Sequence, residues 1–194
     1  MDWLRITHII EDTRQKEDGS HDNIKRYMES EGIKIHRCKL IVGDYTLPTN
    51  QSVVIDTKLN LAEAYGNITD PRFHRECQLA HELGIQLVIL VEDPTIRSLD
   101  EVPGWENPRF ADYDFVKAGR EHGWFTDKSY QTKPPMAAAS LHKAMSTISD
   151  RYGVEWVFCS PVQTGAYIHA ILTKGLAQAK AKAFHELLDI LTQK

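Results

Sequence analysis

Long apolar runs are missing from this 194-residue sequence, in which no stretch of about eighteen consecutive apolar residues occurs. A membrane span is therefore not expected. The N-terminal MDWLRITHII has neither a basic leader nor a small-residue cleavage site, which argues against secretion. Cysteine is scarce: Cys38, Cys77 and Cys159 are an odd number at wide spacing, which suits buried thiols in a reducing compartment better than a disulfide framework or a zinc knuckle. The expected location is a cytoplasm. Cations are not in excess, with 23 Lys and Arg against 27 Asp and Glu for a net charge of −4, so overall charge does not point to nucleic acid. Neither G-x-G-x-x-G nor G-x-x-x-x-G-K-[ST] occurs, which ranks a nucleotide-binding enzyme low and implies no organic cofactor. Internal repeats and low-complexity tracts are absent as well.

What remains fits one globular domain over residues 1–194, with 42% apolar and 26% charged residues. Charge is unevenly spread: residues 1–116 hold 13 basic and 21 acidic side chains, and residues 117–194 hold 10 and 6. An acidic part beside a basic part suits carboxylates that hold cations and lysines that meet phosphates, although ordinary surface variation explains it more simply.

The pattern of elements has local causes throughout. Ile6, Ile9 and Ile10 form a short apolar run stopped by the polar stretch Glu11 to Ser20, as a strand entering a loop would be. Ser20 is the expected cap of a helix bearing Ile24, Tyr27 and Met28 on one face and ending at Gly32. Ile33 to Leu47 and Ser52 to Lys58 flank the turn residues Pro48-Thr49-Asn50-Gln51 and read as a hairpin. Asp70 as cap and Pro71 at the first helical position predict a helix up to Gly84, with Phe73, Cys77, Ala80 and Leu83 inward. Ile85 to Val91, IQLVILV, predicts a strand covered on both faces. Prolines and glycines then break every period, giving a long irregular excursion at about 95–135. A helix through Leu141, Met145, Ile148 and Tyr152, a strand from Val154 to Cys159, and a helix starting at Ser160 and Pro161 follow. A last helix is expected at about 176–193. Strands alternating with helices indicate an α/β layered fold.

Chemistry concentrates at the hairpin. Asp56 and Lys58 are two apart on one strand, so they leave the same face, while Val53, Ile55 and Thr57 leave the other. A turn centred on Asn50 sets Asp44 opposite Asp56, with Cβ atoms about 5 Å apart unless a bulge at Gly43 shifts the register. Two facing carboxylates repel unless a cation lies between them, and Mg²⁺ takes one or two carboxylates while keeping positions for water and a substrate phosphate. Lys58 would then orient or help deprotonate the attacking water, with the ion as Lewis acid. An Asp-x-Lys triplet alone is usually an exposed ion pair; Gly43-Asp44-Tyr45 and Asp12-Thr13-Arg14 at strand ends are harder to ascribe to solubility.

Asp12-Thr13-Arg14-Gln15, Gly43-Asp44-Tyr45 and Val54-Ile55-Asp56-Thr57-Lys58 resemble the D-x-R-E, G-D-Y and V-E-R-K series of the XPF-type nuclease domain, a branch of the PD-(D/E)XK superfamily. Arg72 to Gln78, the strand ending at Glu92 and the Thr-containing segment Ser160 to Leu172 are similar to later parts of the same pattern, so the resemblance covers most of residues 6–173. It is closest to short, stand-alone members from phages and prophages. The resemblance implies a restriction-endonuclease-like fold, a central mixed β-sheet flanked by helices. It implies Asp44, Asp56 and Asp12 as metal ligands for Mg²⁺ or Mn²⁺, Lys58 as the catalytic lysine, Asp12 as an outer catalytic acid, and Arg14 as a phosphate contact. The implied activity is metal-dependent deoxyribonuclease, a phosphodiester hydrolase leaving a 5′ phosphate. Its DNA would be single-stranded or branched, in recombination, replication or repair within a bacterial cytoplasm, and a homodimer is a further expectation. Gln15 and Asp56 stand where the family usually has Glu, Ala62 where it has a further acid with Glu63 nearby, and no tandem helix-hairpin-helix module is recognisable. Gln15 and Ala62 keep a rival reading open, a non-catalytic DNA- or partner-binding module on a degenerate nuclease fold.

Other residues admit plainer readings. Arg72 and Arg75 are candidates for DNA binding, or simply a solvated helix face. His74, Cys77 and His81 share a helix at ligand spacing without a fourth partner, so Cys77 is better read as core. Glu76 and Gln78 are candidate supports of the metal site. Trp105, Trp124 and Tyr130 could stack on unpaired bases or pin a loop, and Lys174, Lys180 and Lys182 touch DNA or merely solubilise the tail.

Overall fold

The computed structural model describes residues 7–15, 19, 21–124 and 134–179. Its strands are β1 (His8–Glu11), β2 (Lys34–Arg37), β3 (Tyr45–Leu47), β4 (Asn50–Lys58), β5 (Gln86–Glu92) and β6 (Glu155–Cys159). The helices are α1 (Asp22–Ser30), α2 (Leu61–Ile68), α3 (Pro71–Glu82), α4 (Arg109–Glu121), α5 (Ala138–Tyr152) and α6 (Thr164–Lys174), with a 3₁₀ helix at Leu99–Gly104. The strands form one mixed sheet in the order β2-β1-β3-β4-β5-β6. β1 pairs in parallel with β2, and β4, β5 and β6 pair in parallel, while β3 runs antiparallel to both β1 and β4. Among the described residues no helix is long and apolar enough to cross a membrane.

Alternation along the strands builds two cores. Val54, Leu87, Ile89, Val91, Trp156 and Phe158 face α2, α3 and α5, whereas Ile9, Tyr45, Ile55, Val88, Leu90 and Val157 face α1 and α6. β5 is buried on both faces, which is why its sequence is a continuous apolar run rather than an alternating one. Helix ends follow the expected chemistry at α3, where the Asp70 carboxylate accepts the Arg72 N–H at 2.8 Å and Pro71 takes the first turn.

Five local readings are corrected. The stretch Ile33 to Leu47 is two strands rather than one: β2 and β3 lie on opposite sides of β1, joined by the loop 38–44. A single apolar-rich segment cannot show periodicity analysis where it breaks, because both halves are β-favouring. Helix α1 is capped at His21 without a side-chain hydrogen bond; Ser20 lies outside the described residues. Leu61–Ile68 forms a helix the sequence reading passed over, capped by Asn60, whose side chain accepts the Glu63 N–H at 2.8 Å. The excursion at 95–135 is partly regular, holding the 3₁₀ helix and α4. Gly153 ends α5 with φ 70°, as expected, and α6 begins at Thr164, a turn later than Ser160 suggested. Of the last helix only the start is described; Lys180 and Lys182, like Tyr130, lie outside the described residues.

Candidate active site

Because β3 alone runs against the other strands, its first residues meet the C-terminal ends of β1, β4 and β5 at one edge of the sheet. Open α/β sheets place ligands beyond the C-terminal ends of their parallel strands. Asp12, Asp44, Lys58 and Glu92 all sit at this edge, with Asp56 two residues inside it.

The hairpin register is the expected one where it matters. Tyr45 pairs with Ile55, the Asp44 N–H donates to the Ile55 carbonyl at 2.8 Å, and the irregularity falls between Tyr45 and Leu47 instead of at Gly43. Asp44 therefore lies across from Asp56. Its Oδ2 accepts both the Thr57 N–H (2.8 Å) and the Thr57 hydroxyl (2.9 Å), which fixes the carboxylate and leaves Oδ1 without a protein donor among the described residues. Gly43 has φ 64°, and a Cβ there would fall 2.4 Å from Val54 Cγ1 and 3.0 Å from the Ile55 carbonyl oxygen, so only glycine brings the turn this close to β4.

Asp56 and Lys58 are 5% and 7% exposed, on the face covered by α2 and α3. They are not the solvated ion pair that an Asp-x-Lys triplet usually makes. The Lys58 ammonium stands 2.6 Å from Asp56 Oδ2, an ion pair without the alignment of a hydrogen bond, and that oxygen is otherwise unpartnered. Burial pushes the Asp56 carboxyl well above its usual range and Asp44's charge pushes it further, against the pull of Lys58. Burial alone would lower Lys58, but Asp56 and Asp44 outweigh it and the ammonium is held charged. Glu76 on α3 adds negative charge at Asp56 while its Oε1 accepts the Gly43 N–H at 2.7 Å.

Asp12 is built differently. Its N–H donates to the Asp44 carbonyl at 2.8 Å, so the two residues are adjacent. Oδ1 accepts the Arg14 N–H (2.6 Å) and Nε–H (2.8 Å), and Oδ2 accepts Arg14 Nη2–H (3.0 Å) and the Leu40 N–H (2.6 Å). Burial works to raise its pKa, yet the Arg14 and Leu40 donors prevail and hold the carboxyl below its usual range. Asp12, Asp44 and Asp56 thus do not gather as three ligands, and no group of three or more His, Cys, Asp or Glu is arranged for a metal ion among the described residues. The physical reason is that both Asp12 oxygens are already committed to Arg14 and Leu40.

A divalent cation fits the smaller set. Oxygen donors from Asp44 and Asp56, the latter's Oδ2 meeting only the Lys58 ammonium and its anion destabilised by burial, are the hard ligands Mg²⁺ or Mn²⁺ prefers, at a count of one or two carboxylates.

No protein-family model matches the chain, and no curated protein matches it. Solved structures do. XPF from Aeropyrum pernix in complex with DNA is similar with TM-score 0.54 and 19% identity over 86% of this chain and 63% of that one; a second structure, XPF from Aeropyrum pernix, gives TM-score 0.55 and 17% identity over 96% and 73%. The fold is XPF-like. The chain spans 63% of the length of the DNA-bound neighbour.

Within this XPF-like, restriction-endonuclease-like frame, the sequence-predicted residues divide. Asp44, Asp56 and Lys58 are brought together, with Asp12 and Arg14 beside them. Arg72 and Arg75 are on the exposed face of α3, where Arg72 is paired to its own helix cap Asp70 at 2.6 Å and holds that carboxyl down at about 2. Cys77 is fully buried, with its thiol pushed up to about 12 by burial, and His74 contacts the Ile68 carbonyl at 2.9 Å, so the zinc spacing on α3 is not a site. Trp105 packs on the core and Trp124 stacks on His122. Sequence reasoning missed Thr57, treated only as a residue of the other face, and Glu92 as a partner: its Oε1 accepts the Thr164 hydroxyl at 2.8 Å.

Proposed function

We propose that the chain is a Mg²⁺- or Mn²⁺-dependent deoxyribonuclease that hydrolyses phosphodiester bonds. The observation that carries this reading is the meeting of Asp44, Asp56 and a buried Lys58 at the open end of an XPF-like sheet. Asp44 and Asp56 would hold the cation, which when bound supplies Lewis-acid polarisation of the scissile phosphate. Thr57 clamps Asp44 so that its free oxygen keeps a fixed direction. Lys58, kept charged by its acidic neighbours, would orient the attacking water and stabilise negative charge on the phosphorane. Asp12 serves as a positioning residue: it accepts Nε–H and Nη2–H of Arg14 and so holds the guanidinium, on a side chain 58% exposed, with Nη1 left to meet a phosphate of the bound strand. The DNA-bound state of a similar fold and the exposed α3 arginines Arg72 and Arg75 support DNA as partner. Single-stranded or branched DNA is the proposed substrate class, in repair or recombination.

The test is cleavage of labelled single-stranded, duplex and forked DNA with Mg²⁺, Mn²⁺ or EDTA. Asp56→Asn and Lys58→Ala should each lower the metal-dependent rate by about 10²–10⁴-fold. DNA bound equally by all three proteins with no cutting of any substrate would instead establish the non-catalytic module.

A further inference from the structure

The open face of β1 and β2 carries two histidines that the candidate site does not use. The strands run parallel with Ile9 opposite Ile35 and Ile10 opposite His36, and Ile9 and Ile35 turn toward the core under α1 and α6. His8 and His36 therefore leave the other face. The core on that side takes no residue from β1 or β2, so both side chains stay exposed. His8 Nδ1 stands 2.7 Å from His36 Nε2, with ring planes 21° apart and centroids 5.0 Å apart. Rings this nearly coplanar at that separation meet nitrogen to nitrogen and not face to face. One facing nitrogen carries the hydrogen and the other the lone pair. An exposed hydrogen bond of this kind adds little to stability, because water satisfies either ring as well.

The same arrangement suits a cation. When the donating ring moves its hydrogen to its outward nitrogen, two lone pairs converge on one point and no proton is released or taken up. Bonds of about 2.0–2.1 Å at a tetrahedral angle set two imidazole nitrogens about 3.3 Å apart, so the exposed rings need open by only about 0.6 Å. The donors also choose the ion. Within the two strands this face holds, besides the histidines, only Ile10 and Lys34. Nitrogen donors beside an ammonium suit Zn²⁺, Ni²⁺ or Cu²⁺, whereas the carboxylates of Asp44 and Asp56 suit Mg²⁺ or Mn²⁺.

We propose that His8 and His36 form a second metal site, separate from the carboxylate edge, which binds one Zn²⁺-class ion through two imidazoles and water and so ties β2 to the sheet. β2 is an edge strand of four residues whose only strand partner is β1. Its end leads through loop 38–44 to Asp44, and the end of β1 leads to Asp12. An ion clasped across the two strands restrains both segments from which the candidate active site hangs. The site stands independently of the nuclease reading.

The experiment titrates the metal-stripped full chain with Zn²⁺ at neutral pH and follows imidazole ¹⁵N resonances and backbone amide exchange. One equivalent should shift His8 Nδ1 and His36 Nε2 together and slow exchange of the β2 amides roughly tenfold, while Mg²⁺ should do neither. His8→Gln and His36→Gln should each weaken Zn²⁺ binding by at least about tenfold and abolish the slowing, with the amide spectrum verifying that the fold is kept. His81→Gln, at an exposed histidine of α3, and Asp56→Asn should preserve the response. Shifts spread over many histidines in excess metal would mean an adventitious ion only and overturn the site. Binding that survives both histidine substitutions, or that Asp56→Asn abolishes, overturns it too. Binding at the pair with β2 exchange unchanged overturns the tie.

Discussion

Two aspartates at the same edge of one sheet, Asp12 after β1 and Asp56 in β4, are 1% and 5% exposed, yet burial has opposite outcomes for them. Asp12 has a donor for each of its oxygens' accessible lone pairs, four contacts from Arg14 and Leu40, and its pKa falls. Asp56 has one unaligned ammonium and two further acids, Asp44 and Glu76, bearing on it, and its pKa rises. Burial is therefore not what marks a reactive carboxylate. Incomplete satisfaction is, because a fold that leaves an anion short of partners has kept room for a cation or a substrate group. The β1 end is finished architecture; the β4 end is not.

The largest expected effect lies in that imbalance. Removing the cation with Lys58→Met leaves Asp56 among acids only, and should cost about 3–5 kcal/mol in urea unfolding of the metal-free protein. Asp56→Asn leaves Lys58 with Asp44 and Glu63 still bearing on it and removes the strained anion, so its stability should stay within about 1 kcal/mol of native. Equal losses in the two variants would show that the pair is symmetrical and that Asp56 carries no strain.

Next comes the saturated end. Asp12→Asn removes the charge that Arg14 grips and one acceptor of the Leu40 latch, with an expected cost of about 1–3 kcal/mol. Calorimetry of the variant alone and combined with Asp56→Asn checks how far the two ends are separate: Asp44 and Glu76 bear on both Arg14 and Asp56, so the losses should deviate from additivity.

The smallest effect is on pH. Asp12's folded pKa is below the unfolded value, so its contribution is complete above about 4 and is lost as pH falls through the lower folded value. Asp56's folded pKa is above the unfolded value, so the folded state binds the proton more readily and the metal-free protein gains stability as pH falls through the folded pKa toward about 4. Glu92, also raised by burial, adds to the same window. Urea midpoints at pH 7, 5 and 3 should rise and then fall. Asp56→Asn should reduce the rise and Asp12→Asn the fall; a native curve that only declines from pH 7 would contradict the assignment.

The placement of the candidate residues was partly legible in the sequence because several of its parts are local. A strand's two-residue period set Asp56 and Lys58 on one face, but the turn lies between Leu47 and Asn50 rather than around Asn50, and the irregularity between Tyr45 and Leu47 is what brings Tyr45 to Ile55 and so Asp44 opposite Asp56. The split of Ile33 to Leu47 into β2 and β3 was not legible, since inserting β1 between them is a long-range pairing that leaves no period in either segment. Helix α2 escaped notice for a related reason: at eight residues it offers barely two turns of pattern, and its capping by Asn60 is its clearest signal.

What the sequence determined by itself is the alphabet of the site and the side on which each letter falls: strand period, turn, cap and apolar run act within a few residues and need no partner elsewhere. The tertiary structure decided how satisfied each group is. Whether Asp12 meets Arg14 and the Leu40 backbone, whether Asp56 is screened by water or closed in by α2 and α3, and whether His8 meets His36 all depend on contacts between segments tens of residues apart. Electrostatic and hydrophobic energies are set by those surroundings and not by residue type, so the electrostatic character of the edge belongs to the folded sheet.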